Sequence, residues 1–298
     1  MPIIADLIPG SGPTLDDLVT EVVATVQGFA VAPDQLATLK TGITAGALTL
    51  VVEGDASPGV FEVENELVYV TAVDPNTGTC TVHPRGRGWQ GTTASAHAAG
   101  SVVSVGPALS RGRCTGLIND TLASLYPAVF GVGSGSGTVD GPMLEIPSEA
   151  EAVLDVRVLD NDGDWQRVRH WEAEHYSLAG ASGRVVRLPR SCDGDSVQVV
   201  YALRPATFTS PDQQWSDTGL SLGLKDVVVL GVLARFAKVL DLGRLTDRFS
   251  SPKGDAQQPQ LGAGFAMARQ LQADFQAALD RETKALRDLY PARSHFVR

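Results

Sequence analysis

Two histidines and two glutamates within six residues, His170, Glu172, Glu174 and His175, form the densest group of metal ligands and proton carriers in the chain. On a strand, His170, Glu172 and Glu174 share one face and His175 points the other way. On a helix the histidines, five apart, miss the i, i+4 spacing with which H-E-x-x-H holds zinc. The cluster reads as a solvated strand face. Asp160, Asp162 and Asp164 with Gly163 match half of a calcium loop, but the twelfth position, where a bidentate glutamate belongs, is Trp171. Gly86-Arg87-Gly88-Trp89-Gln90-Gly91 fits G-x-G-x-x-G in letters only. A dinucleotide site needs a helix there and an acid about 20 positions on, whereas Thr-Thr-Ala-Ser-Ala-His follows and position 111 is arginine. In Gly133-Ser134-Gly135-Ser136-Gly137 the middle residue is glycine, so it is no nucleophile elbow. Paired carboxylates for glycoside cleavage are not marked out by anything in the chain. Neither a catalytic residue, nor a cofactor, nor a metal is therefore assigned, and the chain is not read as an enzyme.

His97 is the one ionisable side chain between Arg87 and Arg111. With no closely spaced partner ligand, it reads as a hydrogen-bonded structural histidine. Gly86, Gly88 and Gly91 allow backbone angles that side chains forbid, so the loop is read as built for shape. On that reading His97→Ala is expected to be nearly harmless and Gly88→Val disruptive.

Several elements must position these groups. Leu15, Leu18, Val19, Val22, Val23 and Val26 recur at helical spacing and predict an amphipathic helix over 14–27. Period-two patterning over 40–106 predicts about five short strands, 49–52, 60–63, 66–73, 79–82 and 102–105, folded as a small sandwich or barrel. A helix over 108–125 follows, stopped by Tyr126-Pro127, and then a Gly/Ser segment, 131–141, that reads as a flexible linker. A second β region of about five strands occupies 142–215. Leu224–Leu240 is apolar nearly all round. Val228, Val232, Phe236 and Leu240 are its candidates for packing in a bundle core or an oligomer interface. A last amphipathic helix over 264–289 carries Met267, Leu271, Phe275, Leu279 and Leu286, and Pro291 ends it. The expected fold is α+β: a bundle of about four helices, two of them C-terminal, with two antiparallel β inserts. The parts are 1–39 (helical), 40–106 (first insert), 107–130 (bundle helix), 131–141 (linker), 142–215 (second insert), 216–289 (C-terminal helices) and 290–298 (tail).

The net charge is −10, unevenly spread. Residues 1–234 hold 13 basic and 27 acidic side chains; residues 235–298 hold 11 and 7. An acidic majority argues against a surface that grips nucleic acid, since phosphate neutralisation needs clustered Lys and Arg. The longest apolar run, Val227–Ala234, is far short of the roughly 20 residues a bilayer requires. The first basic residue is Lys40, so no secretory leader is expected. Cys80, Cys114 and Cys192, odd in number and widely spaced, suit a reducing cytosol.

The segment Arg85–Gly100, with its Gly-Thr-Thr-Ala-Ser-Ala-His-Ala-Ala-Gly end, resembles a signature of small β domains in neck and tail proteins of tailed bacteriophages. Ile118-Asn119-Asp120-Thr121-Leu122-Ala123-Ser124-Leu125-Tyr126-Pro127 and the C-terminal helices are similar to helices of head-to-tail connector (adaptor) proteins of actinobacterial siphophages. The resemblance implies a virion structural protein that forms a ring, a homo-dodecamer, below the portal protein and above a stopper or tail-terminator protein. Genomic DNA would pass through it without specific binding. The implied location is the virion neck, with assembly in the host cytoplasm. A tail or baseplate protein whose β modules bind neighbouring proteins or host-surface glycan is the alternative. The tail holds Tyr290, Arg293, His295, Phe296 and Arg298 and no acid, and is expected to dock on the portal, with the arginines meeting carboxylates and Phe296 as anchor.

Overall fold

Leu50 and Val52, Phe61 and Val63, Val68 and Val70, Val103 and Val105 alternate with outward residues on successive strands, and their inward side chains make one closed core. They belong to a computed structural model that describes residues 12–29, 35–107, 109–139, 143–160, 162–178, 181–192, 194–250 and 263–291. Two compact units divide the chain: Asp16–Ile118, and Asn119–Arg298 together with Met1–Leu15.

The first unit holds helix α1 (Leu15–Phe29) and strands β1 (Gln35–Leu39), β2 (Thr49–Glu53), β3 (Gly59–Val63), β4 (Glu66–Asp74), β5 (Thr79–Val82) and β6 (Val102–Val105). The strands close into an antiparallel barrel in the order β1-β2-β5-β4-β3-β6, with β6 returning to β1. Five strands match the predicted ones to within a residue. The sixth, β1, falls in the part expected to be helical. Its Ala37 and Leu39 are buried and its Leu36 exposed, so barrel closure imposes the strand on a short run of weak β-formers.

The division between units falls within helix α2 (Arg111–Leu125). The second unit continues with β7 (Gly131–Thr138), β8 (Met143–Ile146), β9 (Ala150–Leu159), β10 (Trp165–Arg167), β11 (Glu172–Leu178), β12 (Ala181–Arg187) and β13 (Ser196–Leu203), then helices α3 (Lys225–Ser250) and α4 (Ala263–Leu289). Its strands form two antiparallel sheets, β10-β9-β13-β7 and β11-β12-β8. Val156, Val197, Val199 and Tyr201 of the first sheet share a core with Ile146 and Val186 of the second.

Residues 131–138, expected to be a flexible linker, are strand β7, paired with β13 along its whole length. Gly131 and Gly133 are there for room, a Cβ at Gly131 falling 2.9 Å from the Gly219 carbonyl oxygen. A Cβ at Gly133 would stand 2.5 Å from the Tyr201 ring. The segment hides its strand character because it has few side chains to display a period.

The expected fold class is corrected by these elements. The molecule is a sheet-rich mixed α/β protein with four helices, a closed six-stranded barrel and two further sheets among the described residues, not a helical bundle with two β inserts. The β regions have cores of their own, and α1 from Asp16 onward groups with the barrel while α3 and α4 group with the sheets. In the second unit α3 and α4 run antiparallel. Gly231 of α3 sits so close to Thr121 of α2 and Phe275 of α4 that a Cβ there would lie 2.6 Å from the threonine methyl. Val228, Val232 and Phe236 are buried within the single chain, so this part of α3 is core. The Leu240 side chain lies outside the described residues.

Candidate functional site

Glu66 is in phase with Val68 and Val70, so it shares the inward face of β4. An ionised carboxylate there needs partners. The signature segment supplies them. Arg87 Nε donates to Oε1 at 2.7 Å and Nη2 to Oε2 at 2.8 Å. The backbone N–H of Gly88 donates to Oε1 and that of Ser95 to Oε2, each at 3.0 Å. His97 Nε2 lies 2.8 Å from Oε2. Burial alone would raise the carboxyl pKa of Glu66. The Arg87 guanidinium, the two backbone donors and His97 outweigh it and hold the pKa down at about 2. Arg87 has further acceptors in the carbonyls of Thr44, Ala47 and Ser95, so one guanidinium ties the 44–47 turn and the backbone at Ser95 to Glu66.

The loop around these groups is fixed by backbone. A Cβ at Gly86 would stand 2.5 Å from the Tyr69 carbonyl oxygen. Gly88 has φ 61, and a Cβ there would stand 2.7 Å from the Thr92 carbonyl oxygen. Gly91 has φ 87 in open space. Trp89 stacks on Tyr69 with centroids 4.8 Å apart. His97 pairs in a bridge with Ile43 through backbone hydrogen bonds in both directions.

One arrangement here imitates a hydrolase. Ser95 Oγ is 3.3 Å from His97 Nε2, and His97 Nδ1 is 3.1 Å from Glu64 Oε2, the order of nucleophile, base and orienting acid. The chemistry fails at Nε2. That atom faces the buried, ionised Glu66 carboxylate at the shorter distance, so it carries a hydrogen and donates it, and has no lone pair to take a proton from Ser95. The His97 side chain is 1 % exposed and Glu66 is 0 %, so no substrate reaches them. The site is a buried polar knot.

Asp160 caps its own hairpin, its Oδ1 accepting the backbone N–H groups of Asp162 and Asp164, and the Asp164 hydrogen bond leads the interactions that lower its pKa. His170 is exposed before β11, and the side chains of Glu174 and His175 lie outside the described ones. Among the described residues no group of three or more His, Cys, Asp or Glu could hold a metal ion. Cys80, Cys114 and Cys192 are free and buried, and burial pushes the Cys80 thiol up to about 11 and the Cys114 thiol to about 12. No described helix is long and apolar enough to cross a membrane.

The residues of the second resembling motif also do structural work. The Asn119 side-chain amide donates to the Phe208 carbonyl and accepts the Phe208 N–H, both at 2.9 Å. Tyr126 lies under the Arg204 guanidinium, 4.9 Å from its ring centroid, and Arg204 pairs with Glu151. Of the five tail residues, Tyr290 is half-buried, and burial raises its pKa while Arg157 and Asp155 act on its hydroxyl from nearby. Arg293, His295, Phe296 and Arg298 lie outside the described residues.

Sequence reasoning missed Glu66, Glu64 and Ser95. The signal was present, since an acid in the buried phase of a strand asks for donors, and Arg87 and His97 are the donors nearby. It missed Asp155 for the opposite reason. Asp155 sits on what reads as the polar face of β9, yet it is fully buried and pairs with Arg157 and Arg167.

Comparison with protein-family models and with curated proteins finds no match to this chain.

Proposed function

We propose that the chain is a structural protein of a phage virion, a head-to-tail adaptor that assembles as a ring of twelve copies. In this reading the portal protein lies above it, a stopper or tail-terminator protein below, and genomic DNA passes through without specific binding. The observation that carries it is the inward saturation of the signature segment. The side-chain polar groups of Glu66, Arg87 and His97 are spent on holding the barrel together, so the segment that carries the resemblance builds a module. The acidic balance of the barrel unit, with 10 acidic and 5 basic residues from 16 to 118 of which Glu62 and Glu66 are buried, fits a wall past which DNA slides.

Electron micrographs of the purified full chain, and of particle necks labelled through this chain, test the reading. The expected result is a twelve-fold ring at the neck. Copy numbers in multiples of three or six at the distal end of the tail would replace it with the baseplate alternative, and a chain absent from particles would end both.

A further inference from the structure

Beside the barrel, within its own unit, runs an open groove of about 500 Å3. One wall is a stripe of α1 with Asp16, Thr20, Val23 and Gln27, about 17 Å long at 1.5 Å per residue. The opposite wall is the outer face of β1 and β6, where Leu36 is 65 % and Val102 56 % exposed. The registers Leu36↔Ser104 and Thr38↔Val102 put these two side chains diagonally adjacent on one face, a pair of apolar studs. At one end Arg111 is neutralised by Asp16. Glu64, whose side chain is 58 % exposed, leaves the rim negative. Both β1 and β6 are paired on either side in the closed barrel, so an occupant cannot add a strand and must be recognised by its side chains.

We propose that this groove takes the C-terminal segment, residues 292–298, of a second copy of the chain. That segment carries Arg293, His295 and Arg298 with no acid, and Phe296 and Val297 as apolar anchors, which is the complement of a negative rim over an apolar floor. Seven extended residues span roughly 20 Å, enough to follow the groove. The other terminal segment, residues 1–11, brings Asp6 and no Lys or Arg to a surface that is already acidic. The inference rests on the ring reading, because a ring is closed by two different surfaces on each copy, and groove and tail are such a pair. It gives the tail a partner inside the ring in place of the portal.

Two full-length variants, Val102→Cys and Phe296→Cys, are mixed and oxidised under mild conditions; the native cysteines are buried and do not compete. A disulfide-linked heterodimer is expected, formed at least tenfold more than when Thr71→Cys, an exposed barrel position, replaces Val102→Cys. Adding Leu36→Lys to the groove chain, which removes an apolar stud and repels the tail's arginines, or 0.5 M salt to the mixture, is expected to lower the yield at least fivefold. No heterodimer above the Thr71 control overturns the proposal. So does a chain carrying both cysteines that closes only on itself. Twelve-fold rings without the cross-link would sink this inference and leave the proposed function standing; a cross-link without rings would do the reverse.

Discussion

Glu66 and Arg87, 21 residues apart, lie side by side in a two-pronged ion pair, Nε 2.7 Å from Oε1 and Nη2 2.8 Å from Oε2. Their side chains are 0 % and 7 % exposed. A buried pair of this kind is sensitive to loss of either member, because the survivor keeps its desolvation cost without its partner. Glu66→Gln is therefore expected to destabilise the barrel by about 3–5 kcal/mol. Arg87→Lys, which keeps the charge but loses the fork and the three carbonyl contacts, should be nearly as damaging. Urea denaturation of the two variants checks this, and a midpoint unchanged for Glu66→Gln would refute the assignment.

The same carboxylate sets an acid limit. Its pKa is about 2 in the folded chain against an ordinary 4.5. A depressed folded pKa contributes stability that is present above the unfolded value and is lost as pH falls through the folded one. The gap corresponds to roughly 3 kcal/mol, present above about pH 4.5 and gone below about pH 2. Stability of the wild-type chain should therefore drop over that window with a slope that Glu66→Gln lacks. Parallel acid titrations followed by circular dichroism make the comparison.

His97 makes more contacts than a shape-only loop implies. His97→Ala removes the donor to Glu66 Oε2 and the contact with Glu64, and should cost about 1.5–3 kcal/mol. Gly88→Val adds a branched side chain at φ 61 and drives its Cβ against the Thr92 carbonyl, so it should cost at least as much. Both variants should lose thermal stability, and neither should lose a bound metal. Nearly wild-type melting of His97→Ala would show that the imidazole is dispensable after all.

Val232 is fully buried inside the single chain, in the stretch of α3 that packs on α2 and α4. Val232→Asp should then unfold the second unit itself, since an unpaired carboxylate in an apolar core is not tolerated. Limited proteolysis separates the possibilities. Rapid cleavage within 119–291 is expected. A protease-resistant monomer that merely fails to assemble would instead put Val232 at a subunit contact.

Much of this was legible in the chain. The strands of the barrel announce themselves because Phe61 and Val63, Val68 and Val70, and Val103 and Val105 alternate with more polar partners, and the helix stripes because Leu15, Leu18, Val22 and Val26 repeat at helical spacing. What was hidden shares one physical cause: the missing elements lack side chains that show a period. Gln35–Leu39 is too short and too poor in β-branched residues to read as a strand until the barrel closes around it. Without β1 and β7 the β regions look like inserts in a bundle, which hides the sheet-rich fold class from the pattern. The polar knot was half visible, since Arg87 and His97 stood out in the signature segment while Glu66 passed as one polar position in a strand.

The last prediction follows from the strand that looked like a linker. A flexible Gly/Ser linker tolerates alanine, or gains slightly from it, because fewer unfolded conformations compete. Strand β7 should not tolerate it at Gly133, where the added methyl would stand 2.5 Å from the Tyr201 ring and 3.0 Å from a Leu203 methyl. Tyr201 is buried in the sheet core and paired directly across from Gly133, so its ring cannot step aside without opening that core. Gly133→Ala is expected to cost about 1–3 kcal/mol, the range for overpacking a close-packed site. Gly135→Ala, whose Cβ would meet the same ring at an ordinary 3.9 Å, should be close to neutral. Thermal melts of the two variants side by side decide it. Equal, unperturbed melting would mean that 131–138 is not held against β13.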